Sequence, residues 1–315
     1  MSSPLTVAPI IAAGVLCWRV VDGEARVLIV RRTQYKDVSI PKGKLDPGET
    51  PPETAVRELL EETGVHASIA APFSDVRYLA GGKPKVVHYW SSEVLDDAAA
   101  DVSGFKANDE IAAVEWMPLA EARKKATYPH DAEMLFELKR RIDAGTARTF
   151  AIIIARHGKA LSPSSWDGPD ATRPLMHRGV QQAEGIAPAI AAYGPERIIS
   201  STAVRCRETV APLSALLDVP VREIDGISQD AYGTAGATVE KVIAKRLKQG
   251  RTVVLCSHGP VIPELVRAIA NATTGGSTQV LSRAASLDTG DFAVIHIAPG
   301  PRPRLVATEF HSADV

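Results

Sequence analysis

The chain has 315 residues, 45% hydrophobic and 23% charged, with a formal net charge of −1. This length suits two ordinary domains, and the balanced charge gives no excess of basic residues for nucleic-acid binding. Three widely spaced cysteines, Cys17, Cys206 and Cys256, favour buried thiols over disulfides or a zinc site. Arg19 and Asp22 interrupt the apolar N-terminal segment, so we expect no signal peptide or membrane span and a cytoplasmic location.

The first half of the chain alternates strand-like runs, turns and helices. The pattern predicts a hairpin with its turn at Asp22 and Gly23, a helix, two further strands and a last helix. The predicted ranges are 10–20 and 25–32 for the hairpin, 51–63 for the helix, 84–94 and 110–119 for the strands, and 131–145 for the last helix. The pattern changes near residues 143–149, which predicts domains at 1–145 and 149–315.

Beyond that boundary, short apolar strands alternate with helices. Segment 150–158 is a continuous apolar run, as expected of a buried parallel strand. The other predicted strands are 196–201 and 252–259, and the predicted helices are 178–194, 203–217, 238–250 and 261–272. This alternation predicts an α/β domain with a parallel sheet covered by helices on both faces.

The helix predicted at 51–63 has clear end signals and crowded glutamates. Thr50 and Glu53 match a capping box, and Gly64 stands where a left-handed C-terminal glycine belongs. Glu58, Glu61 and Glu62 share one side, and the predicted apolar face is Ala55, Val56, Leu59 and Leu60. Exposed like charges cost only about 0.2–0.5 kcal/mol each, so a solvated acidic face is the alternative to a site for Mg²⁺ or Mn²⁺.

The spacing from Gly43 through Glu49 to the run at residues 57–65 resembles the Nudix hydrolase signature at every defined position. The resemblance implies a Nudix fold, with a mixed sheet between helices, that cleaves a nucleoside diphosphate linked to another moiety. It also implies divalent metal ions, Mg²⁺ or Mn²⁺. The residues carried over are Glu58, Glu61, Glu62 and the Gly43 carbonyl for metal binding and catalysis, and Glu49 and Arg57 for orienting them. Which glutamate acts as general base stays open.

Basic residues near this motif indicate a highly charged phosphate chain. Lys42 and Lys44 flank Gly43, and this Pro-Lys-Gly form resembles Nudix enzymes acting on dinucleoside polyphosphates or diphosphoinositol polyphosphates. Bacterial MutT usually has Pro-Gly-Gly there. Four further residues have two interpretations: they either flank the cleft and bind substrate or form the polar face of a strand. They are Lys83, Lys85, His88 and Tyr89. Glu110 is either a cleft carboxylate or a loop residue.

Two histidines and two arginines follow three strands of the second half. Arg156 and His157 end the first strand, Arg205 follows the second and His258 follows the third. Strand ends of open α/β sheets hold active sites, and arginine forks with a neutral imidazole suit phosphoryl transfer. The motifs resemble the histidine phosphatase family over about residues 150–310. That implies an αβα sandwich with His157 as nucleophile and with Arg156, Arg205 and His258 binding the transferring group.

One position departs from that family's pattern. Gln229 stands where we expect a general acid, and a glutamine side chain cannot donate a proton in this way. Either Asp230 or Glu223 takes that role, or a leaving phosphate of low pKa makes the acid dispensable. A second domain that binds a phosphorylated ligand without catalysis is a further alternative.

A Nudix domain joined to a SixA-type histidine phosphatase domain resembles the actinobacterial MutT-type proteins. The resemblance implies hydrolysis of 8-oxo-(d)GTP to the diphosphate, cleavage of diadenosine polyphosphates, and a DNA-repair role in nucleotide-pool sanitisation. Three hypotheses follow: a Mg²⁺-dependent hydrolase in the first domain, a two-step enzyme in which His157 removes a further phosphate, or a regulatory second domain. The expected partners are nucleotide substrates, without nucleic acid or membrane. The preferred substrate, the base-reading residues and a homo-oligomer stay open.

Overall fold

The computed structural model describes residues 8–233, 236–275 and 278–313. The chain divides into two compact units, the first ending at Ala147 and the second beginning at Arg148. Each unit has its own sheet and its own hydrophobic core. In the described ranges, every helix is too short or too polar to cross a lipid bilayer.

The first unit has a mixed sheet with helices on both faces. Its described strands are β1 (Ile10–Val21), β2 (Glu24–Arg32), β3 (Val38–Ser39), β4 (Lys42–Lys44), β5 (Val76–Ala80), β6 (Lys83–Glu93) and β7 (Ile111–Pro118), and its helices are α1 (Pro51–Thr63), α2 (Leu119–Lys125) and α3 (Pro129–Asp143). The strand order is β3-β2-β1-β6-β5, while β4 also pairs with β1 and β7 with β2. The pairing of β1 with β6 is parallel and the other pairings are antiparallel.

Alternation along β1 explains the two layers of helices. Ala12 and Leu16 belong to the core that includes residues of α2 and α3. Ala13 and Val15 alternate with them and point to the opposite face, and α1 packs against β1. The predicted hairpin is confirmed, because β1 and β2 pair across a turn where Asp22 and Gly23 have φ of 50° and 79°.

The predicted ends of α1 are also confirmed. The Glu53 carboxylate accepts the Thr50 backbone N–H at 2.9 Å, and Gly64 closes the helix with φ of 76°. The predicted apolar face was partly wrong: Leu60 is 45% exposed, whereas Glu62 is buried. Periodicity places side chains around a helix axis, but the neighbouring elements decide which of them are covered.

The second unit is an αβα sandwich. Its described strands are β8 (Phe150–Arg156), β9 (Arg197–Ser200), β10 (Val221–Glu223), β11 (Val253–Ser257), β12 (Phe292–Ala298) and β13 (Arg304–His311), and its helices are α4 (His177–Ala191), α5 (Val204–Leu217), α6 (Gly236–Gln249), α7 (Ile262–Ala272) and α8 (Thr278–Ala284). The strand order is β10-β9-β11-β8-β12-β13. Helices α6, α7 and α8 contribute to the core on one face, while α5 packs on β9 and β11 from the other.

The prediction of a parallel sheet holds for four strands only. Strands β10, β9, β11 and β8 are parallel, as expected from strand-helix alternation. The chain then adds β12 antiparallel to β8, and β13 antiparallel to β12. This mixed edge was not predicted, since an antiparallel partner can follow a turn without a crossover helix. The carboxyl ends of β8, β9 and β11 meet at one edge of the sheet.

Candidate functional site

Arg57 gathers the carboxylates of the first unit. Its guanidinium donates twice to Glu49, from Nε at 2.7 Å and from Nη2 at 2.8 Å. Its Nη1 donates to Glu58 at 2.9 Å and Glu61 at 2.8 Å, and its Nη2 also donates to the Lys44 carbonyl at 3.0 Å. The Arg57 bonds, opposed by burial, lower the pKa of Glu49 to about 2. Arg57 therefore ties α1 to the preceding loop and orients its carboxylates.

Gly43 lies directly against the Glu58 carboxylate. A Cβ at position 43 would be 1.9 Å from Glu58 Cδ and 2.0 Å from each carboxylate oxygen. Strand β4 holds Gly43 there by pairing it with Ala13 of β1. The close approach requires glycine and brings the backbone of residue 43 beside this carboxylate.

Glu62 is the buried carboxylate of the set. Only 4% of the residue is exposed, and it accepts the Lys42 backbone N–H at 2.8 Å. Burial raises the pKa of Glu62 to about 8, although the charge and N–H of Lys42 oppose the shift. Burial also raises the pKa of Glu58, against the opposing bond from Arg57. Both carboxylates are desolvated, so a nearby cation would stabilise their ionised forms.

These carboxylates open on a cavity of about 290 Å³. Its lining is Glu58, Glu61, Glu62, Asn108, Asp109, Glu110 and Ile111. The charge of Glu110 contributes to the raised pKa values of Glu58 and Glu62. The structure thus places Glu110 in the cavity with the helix glutamates, one of the two positions that the sequence left open. Asn108 and Asp109 also line the cavity, and the sequence held no recognisable signal for them.

The donor set fits a hard divalent cation. Within the described ranges, no three acidic, histidine or cysteine side chains are grouped so that they could hold a metal ion by themselves. Magnesium usually binds one or two carboxylates and completes its shell with water and substrate phosphates, so it needs no such group. The desolvated carboxylates of Glu58 and Glu62 and the backbone of Gly43 offer the oxygen donors that this ion prefers.

Lysines form the basic part of this region. Burial, together with the charges of Lys42 and Lys44, lowers the pKa of Lys85 to about 8, so these three cations lie near one another. Lys83 is exposed at the turn between β5 and β6, opposite Ala80. The structure therefore groups Lys85, rather than Lys83, with the two lysines that flank Gly43.

Tyr89 and His88 do not line the carboxylate cavity. Tyr89 is 2% exposed and belongs to the core of the first unit, where its ring packs closely against Gly14. His88 Nδ1 lies 2.8 Å from Asp75 Oδ1 on the surface. Tyr89, for which the sequence left substrate binding and the polar face of a strand as alternatives, lies inside the fold and packs in its core.

In the second unit, the strand ends bring the predicted basic residues together. The rings of His157 and His258 are 5.2 Å apart, and Arg205 Nη2 lies 3.2 Å from His258 Nδ1. Arg156 Nη1 donates to the Leu287 carbonyl at 2.7 Å. We call Arg156, His157, Arg205 and His258 the His157 cluster.

Hydrogen bonds define the tautomers of both imidazoles. His157 Nδ1 lies 2.8 Å from the Gly158 carbonyl, which can only accept, so Nδ1 carries the proton and Nε2 keeps a lone pair. His258 Nδ1 accepts from Arg205, so its Nε2–H donates to Ser201 Oγ at 2.8 Å. Burial lowers the pKa of His157 to about 4 and that of His258 to about 3, with nearby positive charges adding to both shifts. Both rings are neutral near pH 7.

Asp170 is a site residue that sequence reasoning missed. Its carboxylate accepts from Arg205 Nη2 at 2.8 Å and from Arg173 Nε at 2.9 Å. Burial alone would raise the pKa of Asp170, but the two arginines lower it overall. Arg205 Nη2 also lies 3.4 Å from Gln229 Oε1, so Gln229 does reach the cluster. The sequence signal that could have identified Asp170 was the pairing of an acid with an arginine three residues later, at residues 170–173.

The cluster offers donors for an anion. The Nε atoms of Arg156 and Arg205 are buried and have no hydrogen-bond partner in the described part of the chain. Unpaired buried N–H groups are costly, and phosphoryl oxygens would satisfy them. The loop that carries His157 is held by the Gly158 N–H, which donates to Thr209 Oγ1 at 2.9 Å. This arrangement suits a fixed imidazole facing a bound phosphoryl group.

Known proteins match both halves of the chain. The NUDIX domain family model matches residues 11–138, and that of the histidine phosphatase superfamily (branch 1) matches residues 152–246. An 8-oxo-(d)GTP phosphatase of Mycolicibacterium smegmatis is 33% identical over 291 residues, which cover 86% of this chain and 87% of the relative. An asymmetrical bis(5′-nucleosyl)-tetraphosphatase of Mus musculus is 40% identical over 92 residues, or 28% of this chain and 60% of the relative.

Solved structures resemble the separate units. An Ap4A hydrolase of C. elegans in a binary complex is 27% identical, covers 43% of this chain and 98% of its own, and gives a TM-score of 0.38. The protein histidine phosphatase SixA complexed with tungstate is 18% identical, covers 50% of this chain and 96% of its own, and gives a TM-score of 0.39.

Proposed function

The chain belongs to the Nudix hydrolases that carry a C-terminal histidine phosphatase domain, and on that premise we propose that its first unit hydrolyses 8-oxo-(d)GTP. The products are the nucleoside diphosphate and phosphate. The observation that carries the proposal is the pair of desolvated carboxylates, Glu58 and Glu62, which open on an acidic cavity near Lys42, Lys44 and Lys85. The relative of matching length bears the name of this activity.

Nudix hydrolases generally require a divalent metal, and we propose Mg²⁺ here, with Mn²⁺ as the alternative. Glu58, Glu61, Glu62 and the Gly43 carbonyl would hold the metal. When bound, such an ion polarises a phosphoryl oxygen and lowers the pKa of water. Mg²⁺ suits a partly open set of hard oxygen donors that substrate phosphates complete.

The side chains of this unit have separable roles in the proposal. Arg57 holds Glu49, Glu58 and Glu61 in a fixed arrangement, which reduces reorganisation during the reaction. A carboxylate of the cavity accepts the proton of the attacking water. The lysines bind the phosphate chain as point charges, and the pKa of Lys85, lowered to about 8, leaves it largely protonated near pH 7.

Dinucleoside polyphosphates are a second substrate class. The three grouped lysines suit a longer phosphate chain, and the mouse relative over this unit is named for cleaving bis-nucleosyl tetraphosphates. The lysines have an alternative interpretation, in which the protein acts only on these compounds or on diphosphoinositol polyphosphates and not on 8-oxo-(d)GTP. Hydrolysis of 8-oxo-(d)GTP would give the protein a role in sanitising the nucleotide pool, in the cytoplasm.

Product analysis by ion-exchange chromatography tests the proposal. We expect Mg²⁺-dependent conversion of 8-oxo-dGTP to its diphosphate, well above conversion of dGTP, and cleavage of diadenosine tetraphosphate. Glu62→Gln should abolish both reactions while folding survives, because the amide keeps the volume of the buried side chain and loses its charge. Cleavage of only the dinucleotide or inositol compounds would contradict the 8-oxo-(d)GTP assignment, and full activity of Glu62→Gln would contradict the site.

A further inference from the structure

The His157 cluster holds a nucleophile and anion donors, but its carboxylate cannot act as an acid near pH 7. Asp170 is bound by Arg173 at 2.9 Å and Arg205 at 2.8 Å. These arginines lower the pKa of Asp170 despite its partial burial, so it stays ionised. An ionised carboxylate between two guanidinium groups positions Arg205 but has no proton to give to a leaving group.

The other candidate donors are not placed to act as acids either. Gln229 turns its amide oxygen toward Arg205 at 3.4 Å. Glu223 lies 3.5 Å from Arg207, and Asp230 is exposed and makes none of the cluster's hydrogen bonds in the described chain. The single N–H of neutral His258 is bonded to Ser201. None of these five residues is therefore placed to act as a general acid.

Without an acid, the leaving group must depart unprotonated. An alkoxide is about as basic as hydroxide, the anion of water with its pKa of about 15.7, and it leaves poorly without a proton. A phosphate monoester has a second pKa of about 6, so its dianion is stable in neutral water. An amine leaving group also needs protonation before the phosphorus–nitrogen bond breaks, whereas an imidazole whose second nitrogen carries a proton leaves as the neutral ring. A phosphoanhydride and a phosphorylated imidazole therefore leave well from this cluster, and the first site would release a phosphoanhydride.

We propose that the second unit is a phosphatase that removes the terminal phosphoryl group of a nucleoside diphosphate through a phosphohistidine on His157. The lone pair of Nε2 forms a bond to the terminal phosphorus, and the bond from that phosphorus to the bridging oxygen breaks. The bridging oxygen leaves with its electron pair as part of the nucleoside monophosphate dianion. Of the three negative charges of the substrate, two depart with this product and one stays on the phosphorylated enzyme, so no proton is needed.

Water completes the second step. Its oxygen bonds to phosphorus, the phosphorus–nitrogen bond breaks, and the electron pair returns to Nε2. Both protons of the water leave with dihydrogen phosphate, and neutral His157 is restored with Nδ1–H still bonded to the Gly158 carbonyl. Arg156 and Arg205, each with a buried unpaired Nε–H, bind the transferring oxygens in both steps.

This activity goes beyond the proposed function of the first unit, and it depends on different residues. A nucleoside diphosphate is the product class that the first site would release, so the two reactions would run in sequence to the monophosphate. The second reaction requires only that a diphosphate be present, whatever produces it.

The test uses the full chain carrying Glu62→Gln, the substitution expected to abolish the reaction of the first site. GDP labelled with phosphorus-32 in its terminal phosphate is added, and the reaction is stopped in alkali, in which phosphohistidine survives. We expect label on the protein and release of labelled phosphate, both lost when His157→Asn is added. For GDP, kcat/KM should exceed that for glycerol 3-phosphate by about 10²–10⁴-fold, the usual contribution of a general acid.

Variants of Gln229 distinguish a missing general acid from a purely structural effect, because only the former changes the ratio of kcat/KM between the two substrates. Gln229→Glu supplies a carboxyl group and should narrow the ratio between GDP and glycerol 3-phosphate, whereas Gln229→Ala should not. Equal kcat/KM on the two substrates without mutation would overturn the proposal, because an acid must then be present. Absence of label and phosphate from GDP would overturn it in favour of a binding site. Hydrolysis of a phosphohistidine peptide but not GDP would overturn it in favour of a protein substrate.

Discussion

Replacing Gly43 by alanine tests whether the position of Glu58 controls the reaction of the first unit. The new Cβ would lie 1.9 Å from Glu58 Cδ, whereas non-bonded carbons rest about 3.5–4.0 Å apart, so the carboxylate must retreat by roughly 1.5 Å or more. The backbone itself accepts alanine, because Gly43 is absent from the positive-φ glycines. The clash therefore falls on the end of one flexible side chain.

We expect Gly43→Ala to reduce the reaction rate much more than the free energy of unfolding. A displacement of about 1 Å at a catalytic group costs about 10²-fold in rate, so we expect kcat/KM for 8-oxo-dGTP to fall by at least that factor. Retreat of the carboxylate also breaks its 2.9 Å bond to Arg57. Since that ion pair is partly exposed, its loss should lower the free energy of unfolding by only about 0–1 kcal/mol.

The assay compares Gly43→Ala with a matched glycine substitution. Gly104→Ala is the control, because a Cβ there meets no atom within 4 Å, and it should leave both kcat/KM and urea unfolding unchanged. Adding Glu58→Asp, which shortens the side chain, should make the two losses less than additive. Wild-type kcat/KM in Gly43→Ala would refute the reasoning, and so would a loss of stability large enough to explain the inactivity.

Two further predictions concern the second unit. Asp170→Ala leaves the buried guanidinium of Arg205 without its carboxylate and should reduce the free energy of unfolding by about 1.5–3 kcal/mol, as measured in urea, whereas Ala at the exposed Asp167 should change it little. The free energy of unfolding of this unit should also fall as the pH decreases below about 6.5, because unfolded histidines take up protons there. Folded His157 and His258 stay neutral until the pH reaches about 4 and about 3, the pKa values to which burial lowers them. Hydrogen exchange of strand amides measures this decrease, and a double His→Asn variant that keeps the same pH dependence would contradict it.

Local signals in the sequence determined the parts of this protein that depend on near neighbours in the chain. The ends of α1 follow from Thr50, Glu53 and Gly64, which satisfy backbone groups within one turn. The hairpin turn at Asp22 and Gly23 needs only their left-handed conformations. The convergence of the His157 cluster was likewise predictable, because parallel strands end at a common edge.

Tertiary packing decided which of the predicted side chains are covered and what they contact. Periodicity could not show that Leu60 is exposed while Glu62 and Tyr89 are buried, since burial depends on elements distant in sequence. Likewise, Lys85 rather than Lys83 joins the lysines of β4, because Lys85 pairs with Ile10 of β1, two residues before the residue of β1 that pairs with Lys44.

The antiparallel edge of the second sheet and the role of Asp170 show the same division. Strands β12 and β13 carry no helix between them, so the alternation that predicted the parallel strands did not extend to them. Asp170 lies 35 residues before Arg205 in the chain, and only the folded loop brings its carboxylate within 2.8 Å of that guanidinium. Sequence spacing determined which chemical groups this protein has, whereas the tertiary structure decided which of them meet, because their contacts join segments that no local pattern connects.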